Sequence, residues 1–486
     1  MITDVWHSRL FNVHAWSEHK AVMSLTEQVF QSFSDEQKAT VIGKSNNKGK
    51  TDLYRALRVI LVDQYVSWKT DPTLCTAIQR GRNTWIVGSR YNGMNLPHRT
   101  SDVIDILIEQ GLLHKANHSY NRTGSSIGNR STRIQPTAKL ARMFEHVGLE
   151  LHQLQLHEKQ ETIILRMNDE DNDDKAIDIP YKDNALTRRM RKEVQAYNAM
   201  MLNHYVDVAS LTEPCIYREV KKRGATGKVT QRVAVDASNK FCRRVFNRNS
   251  WKMNGRWNGG FWMQLPKEMR PDIYIDDVST EEVDYSGLHP SILAWEQGQR
   301  LTGDRYDLGK LIDNSITLEE QRKVVKLLVL VAINAKDRAK AFGAYNLKAA
   351  KPRKHNVLNA LIDAFIEKHP FLEASLFTDQ GIRLMNIDSQ IATEVINTFV
   401  AKDIPILPVH DSFIVKRKNV FDLQTAMSAA TIKVLGVDLE YESRHEGMMR
   451  KVTKQAMNTS DVVVMPFNLS DKTQEYKDRY KLWKEQ

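Results

Sequence analysis

Two acidic residues each close an apolar run. In VDYSGLHPSIL, residues 283–293, Asp284 follows a strand-like stretch and precedes small residues, a histidine and a proline. In IPILPVHDSFIV, residues 404–415, His410 and Asp411 interrupt a second apolar run that resumes as SFIV, the pattern of a turn between two antiparallel strands. Carboxylates on rigid strands suit nucleotidyl transfer by two metal ions, because both the attacking and the leaving oxygen must be held in line. Asp284 and Asp411 are therefore the candidate catalytic residues and metal ligands. The bland alternative is a pair of unrelated surface turns in a chain with 59 Asp and Glu.

Such chemistry needs cations close by. Between the acids, TLEEQRKVVKLLVLVAINAKDRAKAFGAY (317–345) opens on Thr317 with Glu320 three residues later, a capping box that predicts a long helix. Arg322, Lys326, Leu330 and Asn334 recur every four residues and share one ridge of it. Donors without acceptors on that ridge suit the triphosphate of an incoming nucleotide. Upstream, RRVFNRNSWKMNGRWNGGFW (243–262) interleaves three tryptophans with five Arg or Lys residues, a mixture that suits stacked bases and phosphates. Arg256 is the candidate template or primer contact there. Inward packing of those aromatics is the alternative.

The whole chain is consistent with a polyanionic partner. It has 486 residues, enough for two or three domains, and 70 Lys and Arg against its acids leave a net charge of +11. Hydrophobic residues at 41% and charged residues at 27% exclude a disordered or membrane-embedded class. Cys75, Cys215 and Cys242 lie far apart, without metal-ligand spacing or a disulfide framework. No apolar run reaches membrane-spanning length, and a cytoplasmic protein is expected.

Three segments are expected: 1–165, largely helical and nucleic-acid binding; 166–184, an exposed linker around the acidic run NDEDNDDKAID; and 185–486, the catalytic core. Within the first, Val103, Ile106, Leu107 and Leu113 form an apolar stripe with Ser101 as its N-cap, and Gly111 stops the helix. The hairpin predicted over 120–133 would project Arg122, Arg130 and Arg133. Helix, GLL and basic hairpin resemble a winged helix-turn-helix DNA-binding domain. In the core, residues 185–210 read as a helix with a basic first turn, and a second hairpin turns near Gly224 to Gly227.

The order of motifs resembles family A DNA polymerases and their relatives, the phage-type single-subunit RNA polymerases. Gly255, Arg256, Gln264 and Pro266 are similar to the segment before motif A; DYS opens motif A at Asp284; Arg322 and Lys326 match motif B, with Asn334 where a tyrosine is usual. Asn386 and Gln390 match a later signature, and HDS at His410 to Ser412 resembles motif C. The resemblance covers about residues 243–418. It implies an α+β fold, a palm sheet with helices and compact helical fingers near 300–380. It also implies two Mg²⁺ ions, with Mn²⁺ as substitute, on Asp284 and Asp411. Nucleotide contacts fall to Arg322, Lys326, Asn334, His289 and Tyr285. Contacts to a DNA primer and template fall to Arg256, Gln264, Asn386, Gln390 and His410.

In the DNA polymerases that the chain resembles, the residue five beyond the first acid is a steric gate, and a bulky His289 in that place implies deoxynucleotides, whereas the serine after Asp411 is similar to the RNA polymerase branch. DNA synthesis is favoured, with an RNA polymerase or primase next. A metal-dependent nuclease or integrase would need a third acid such as Asp388 or Glu394, and a non-catalytic DNA-binding replication initiator would need none.

Overall fold

The computed structural model describes residues 2–42, 46–123, 125, 127–151, 154–156, 159–169, 172–222, 224–348, 352, 354–443 and 472–485. The part of the expected catalytic core at 444–471 lies outside them. The fold is α+β with two main hydrophobic cores, one built from side chains between Ala15 and Leu154, the other between Ile163 and Leu439. None of its helices is long and apolar enough to cross a membrane, among the described residues. All three cysteines are buried free thiols.

In the first unit the helix Asn46–Thr70 buries Leu53, Leu57, Ile60 and Leu61, one stripe at helical spacing. The helix Thr100–Glu109 buries Val103, Ile104 and Leu107 against it, and Gly111 turns the chain at φ 68° into the next strand. Arg99 occupies the N-cap; Ser101, expected to cap, is buried in the first turn. A hairpin follows, Leu113–Ala116 paired antiparallel with Thr132–Pro136, which also pairs with Cys75–Ile78.

The acidic run corrects the expectation of a free linker. Ile163–Asp169 and Asn172–Asp178 form an antiparallel hairpin, and its first strand runs parallel to Cys242–Phe246, which continues to Asn254–Gly259. The cause precedes the acids: Ile163, Ile164 and Leu165 are buried, and Arg166 Nε meets Asp178 Oδ1 at 2.6 Å. The change between cores therefore falls before residue 163 rather than at 184.

The second unit begins with the helix Ala185–Leu202, whose Asn184 and Thr187 cap each other reciprocally, and the hairpin Cys215–Lys221 with Lys228–Ala234 follows as expected. Its central antiparallel sheet runs in the order Leu407–Val409, Ser412–Lys416, Val278–Tyr285, Ile273–Ile275, Val206–Val208, with Tyr441–Ser443 also on Val278–Tyr285. Leu288–Glu296, Gly381–Val400 and Val420–Leu435 are its companion helices, and Leu318–Asn334, Arg338–Lys348 and His355–Lys368 form a helical extension.

At the far end of the sheet, Asp276 and Asp277 make a tight turn with φ of 49° and 64°. Asp276 accepts from Tyr205 N and pairs with His204 and Lys416. The helix Gln474–Lys484 docks here, with Arg479 Nε 2.8 Å from Asp207 Oδ2.

Candidate active site

Val278–Tyr285 and Ser412–Lys416 are adjacent strands, with Val283 opposite Phe413 and Asp284 opposite Ser412. Val283 and Phe413 point into the core, fully buried, so alternation turns Asp284 to the other face, where it is half-buried. His410 and Asp411 form the two-residue turn that enters Ser412, and Tyr285 N donates to Asp411 O at 3.3 Å. Two acids 127 positions apart thus meet at one sheet end. His410 holds φ 62°, a region that costs a residue with a Cβ, so the turn carrying Asp411 is strained. Beside the pair, the buried Glu282 accepts from Ser412 Oγ at 2.6 Å and from Arg270 Nη1 at 3.1 Å; Glu442 stands opposite Asp284 on the other flank.

The turn after Asp284 is braced from below. Arg305 donates to Ser286 O and, at 2.8 Å, to Ser291 Oγ. Gly287 adopts φ 52°, and a Cβ there would lie 2.9 Å from the Arg305 side chain, so this position favours glycine. Tyr285 departs from the expected nucleotide contact: strand alternation sends it to the core face, where its hydroxyl donates to Met427 O at 2.7 Å and burial holds its phenol above the ordinary value.

Arg256 is committed to protein. Its Nε lies 2.8 Å from Oδ2 of Asp388, a residue 1% exposed, and the same oxygen is 3.1 Å from His289 Nε2. His410 feels this group: desolvation and the Arg256 cation lower its pKa, against the pull of Asp411 and Asp388. Asn386 uses its amide on Trp251 O and Asn254 O, holding the turn before Arg256, and Gln390 donates to Asn386. Gln264 follows the short turn Phe261–Met263, with its carbonyl near Arg218. The tryptophans of this segment pack inward: Trp251 lies edge-on to Phe246, while Trp257 and Trp262 are buried and donate to Thr393 Oγ1 and Pro408 O.

The helix Leu318–Asn334 carries the expected capping box, and its Val325, Leu328 and Val329 are buried, which leaves Arg322 and Lys326 on the exposed face. Arg322 pairs with Asp304 and feels Glu442. Lys326 Nζ lies 5.9 Å from the ring centre of Tyr306, whose phenol is pushed up to about 12 by burial and senses both Arg322 and Asp411. Tyr306 thus links the cationic helix to the acid pair. Asn334 ends the helix, donates to Leu330 O and abuts Gly381.

Among the basic residues of the first unit, Arg122 is exposed and Arg130 half-buried beside its bridge to Ser119. Arg133 corrects the expectation of a projecting cation. It is buried and donates to Val5 O and Ser131, because it lies in the strand Thr132–Pro136, whose both faces are covered.

No group of three or more His, Cys, Asp or Glu suited to a metal occurs among the described residues. The acids considered as a third ligand have other partners: Asp388 has Arg256, and Glu394 has Lys433 at 2.7 Å. Arg305, Tyr306 and Glu282 were not singled out by the sequence. Each acts through tertiary contact, which no local pattern in the sequence declares.

No protein-family model matches this sequence, and no curated protein matches it. Among solved structures, it is similar to the POL domain of Pol1 from M. smegmatis in complex with DNA primer-template and dNTP. The identity is 10% and the TM-score 0.26, over 87% of this chain and 65% of that one. The chain therefore spans just under two thirds of the structure it matches.

Proposed function

We propose that this chain is a template-directed nucleotidyltransferase, a compact DNA polymerase of family A-like type. The observation that carries the reading is the meeting of Asp284 and Asp411 at the ends of adjacent antiparallel strands. Two carboxylates fit Mg²⁺, which commonly takes one or two protein carboxylates and completes its shell with waters and substrate phosphates; Mn²⁺ is a suitable substitute. Bound there, such ions would neutralise the triphosphate and lower the pKa of the primer hydroxyl.

The remaining roles belong to side chains. Asp284 and Asp411 hold the metal ions from a rigid sheet. Arg322 and Lys326 bind the triphosphate from the exposed face of their helix, Arg322 exchanging Asp304 for phosphate oxygens. His289, fixed through Asp388, bounds the sugar site and disfavours a 2′-hydroxyl. Ser412, the residue that leaned towards RNA synthesis, has its hydroxyl committed to Glu282, so sugar choice rests on His289. The first unit contacts duplex DNA as a winged helix, through the hairpin that carries the exposed Arg122.

The test is primer-template extension with separate deoxy- and ribonucleotide pools. The parent should extend with deoxynucleotides, and Asp284→Ala and Asp411→Ala should each lose at least roughly a thousandfold in rate, several kcal/mol, while binding DNA as before. Strand cleavage without incorporation would select a nuclease instead. Undiminished extension by either variant would remove the assignment of the acids.

A further inference from the structure

A large open groove, about 1,100 Å³, runs between the two units. One wall is the segment from Arg9 to Ala15 with Asp63; the other comes from the helix Ala185–Leu202, the hairpin strand bearing Arg232, and residues 238–243. None of its lining belongs to the acid pair or its cationic helix.

Its charges do not cancel. The three carboxylates on its walls are already matched by arginines: Asp63 by Arg9 at 2.8 Å, Glu161 by Arg90 at 2.8 Å and Arg191 at 3.0 Å, Asp178 by Arg166 at 2.6 Å. Arg232, Lys240 and Arg243 make no salt bridge among the described residues. The acid that Arg232 influences, Asp236, is held instead by Ser238, and Arg243 has Arg166 as well as Asp178 within electrostatic reach. Lys240 is buried and donates to the carbonyls of Met201 and His204, at 2.9 and 2.8 Å, with Asp276 and Asp236 within electrostatic reach.

Apolar side chains lie among these cations. Phe241 sits directly between Lys240 and Cys242, half-buried and outside every core cluster. Leu10 is 79% exposed and Leu202 52% exposed along the same groove. Cations alternating with an aromatic ring and exposed leucines match a chain of phosphates alternating with base faces. Base faces are open to such contact only where the strand is unpaired.

We infer that this groove is a second nucleic-acid site, one that holds a single strand by phosphate contacts to Arg232 and Arg243 and by stacking on Phe241. It goes beyond nucleotidyl transfer and needs no chemistry at Asp284 or Asp411.

The full chain, without nucleotide or divalent metal, is titrated into dye-labelled oligothymidylate and oligouridylate over a salt series. Removing two phosphate contacts with R232Q/R243Q should weaken binding at least tenfold and flatten the slope of log Kd against log salt by about 1.4, twice the single-strand value per contact. Phe241→Leu should weaken binding roughly fivefold or more with little change in slope, since stacking is not a counterion effect. Equal losses for both oligomers identify a groove indifferent to sugar; a loss for one alone identifies the strand it takes. Thermal melting checks that the variants fold. Photo-cross-linking of the parent to halogenated strands, mapping to peptides that contain Leu10 or Phe241, supports the site without any substitution. Unchanged affinity and slope in folded variants, or cross-links confined to other surfaces, would overturn it. Because catalysis is not measured, the groove stands or falls separately from the polymerase reading.

Discussion

The Ser412 hydroxyl donates to Glu282 Oε1 at 2.6 Å, and both side chains are buried. Residues 282 and 284 alternate to one face of their strand, and Ser412 lies opposite Asp284, so this bond ties together the two strands that carry the acid pair. Ser412→Ala strips a donor from a buried carboxylate and should cost about 1–3 kcal/mol in urea unfolding. Loosened strand ends should also lower kcat roughly tenfold or more at unchanged nucleotide KM. Lost stability with intact kcat would reduce the bond to a purely structural one.

Tyr285 supplies the opposite case. Its hydroxyl reaches Met427 O on the core side, so Tyr285→Phe should lower stability by about 1 kcal/mol and leave nucleotide KM unaltered. Chemical denaturation and steady-state kinetics on one preparation decide this. A raised KM would return the residue to the substrate side.

Asp388 is predicted to position His289. Asp388→Asn leaves the Arg256 guanidinium without its carboxylate and should cost about 3 kcal/mol, as expected for a broken buried pair. It should also erode discrimination between deoxy- and ribonucleotides by roughly tenfold, the direction also expected for His289→Ala. An unchanged ratio of kcat/KM values in Asp388→Asn would separate the ion pair from sugar choice.

Acid stability should report on the far end of the sheet. Burial opposes ionisation of Asp276, but hydrogen bonds and charge from His204 and Lys416 prevail and bring its pKa down to about 2. A depressed folded pKa means that the stabilisation is complete above the unfolded pKa, near 4, and fades as pH falls towards 2. Asp276→Asn should therefore lower stability at neutral pH by about 1 kcal/mol after solvent screening and flatten the decline between about pH 4 and 2. Unfolding curves that keep the parent's steepness in that window would assign the acid sensitivity elsewhere.

Much of the scaffold was legible because it is written in periodicity. The capping box at Thr317, the hairpin at residues 215–234 and the turn at His410 and Asp411 each declare themselves within a few residues. The approach of Asp284 to Asp411 was inferable from two apolar runs that needed the same sheet. What a side chain faces was less legible. Tyr285 and Asp284 are neighbours in sequence yet occupy opposite faces, and Arg133 looks like any loop cation until its strand is covered from both sides. The acidic run misled because composition favoured solvent while the isoleucines before it bound their strand into a sheet.

The docked helix Gln474–Lys484 has a wider meaning. Val206–Val208 is a border strand of the central sheet, and Thr473 N donates to Ala209 O just beyond it while Arg479 clamps Asp207. An uncovered border invites another polypeptide to add a strand. Loss of this short helix by premature termination or proteolysis would uncover that border and leave it open to pairing with another chain, even with the acid pair at the opposite end intact.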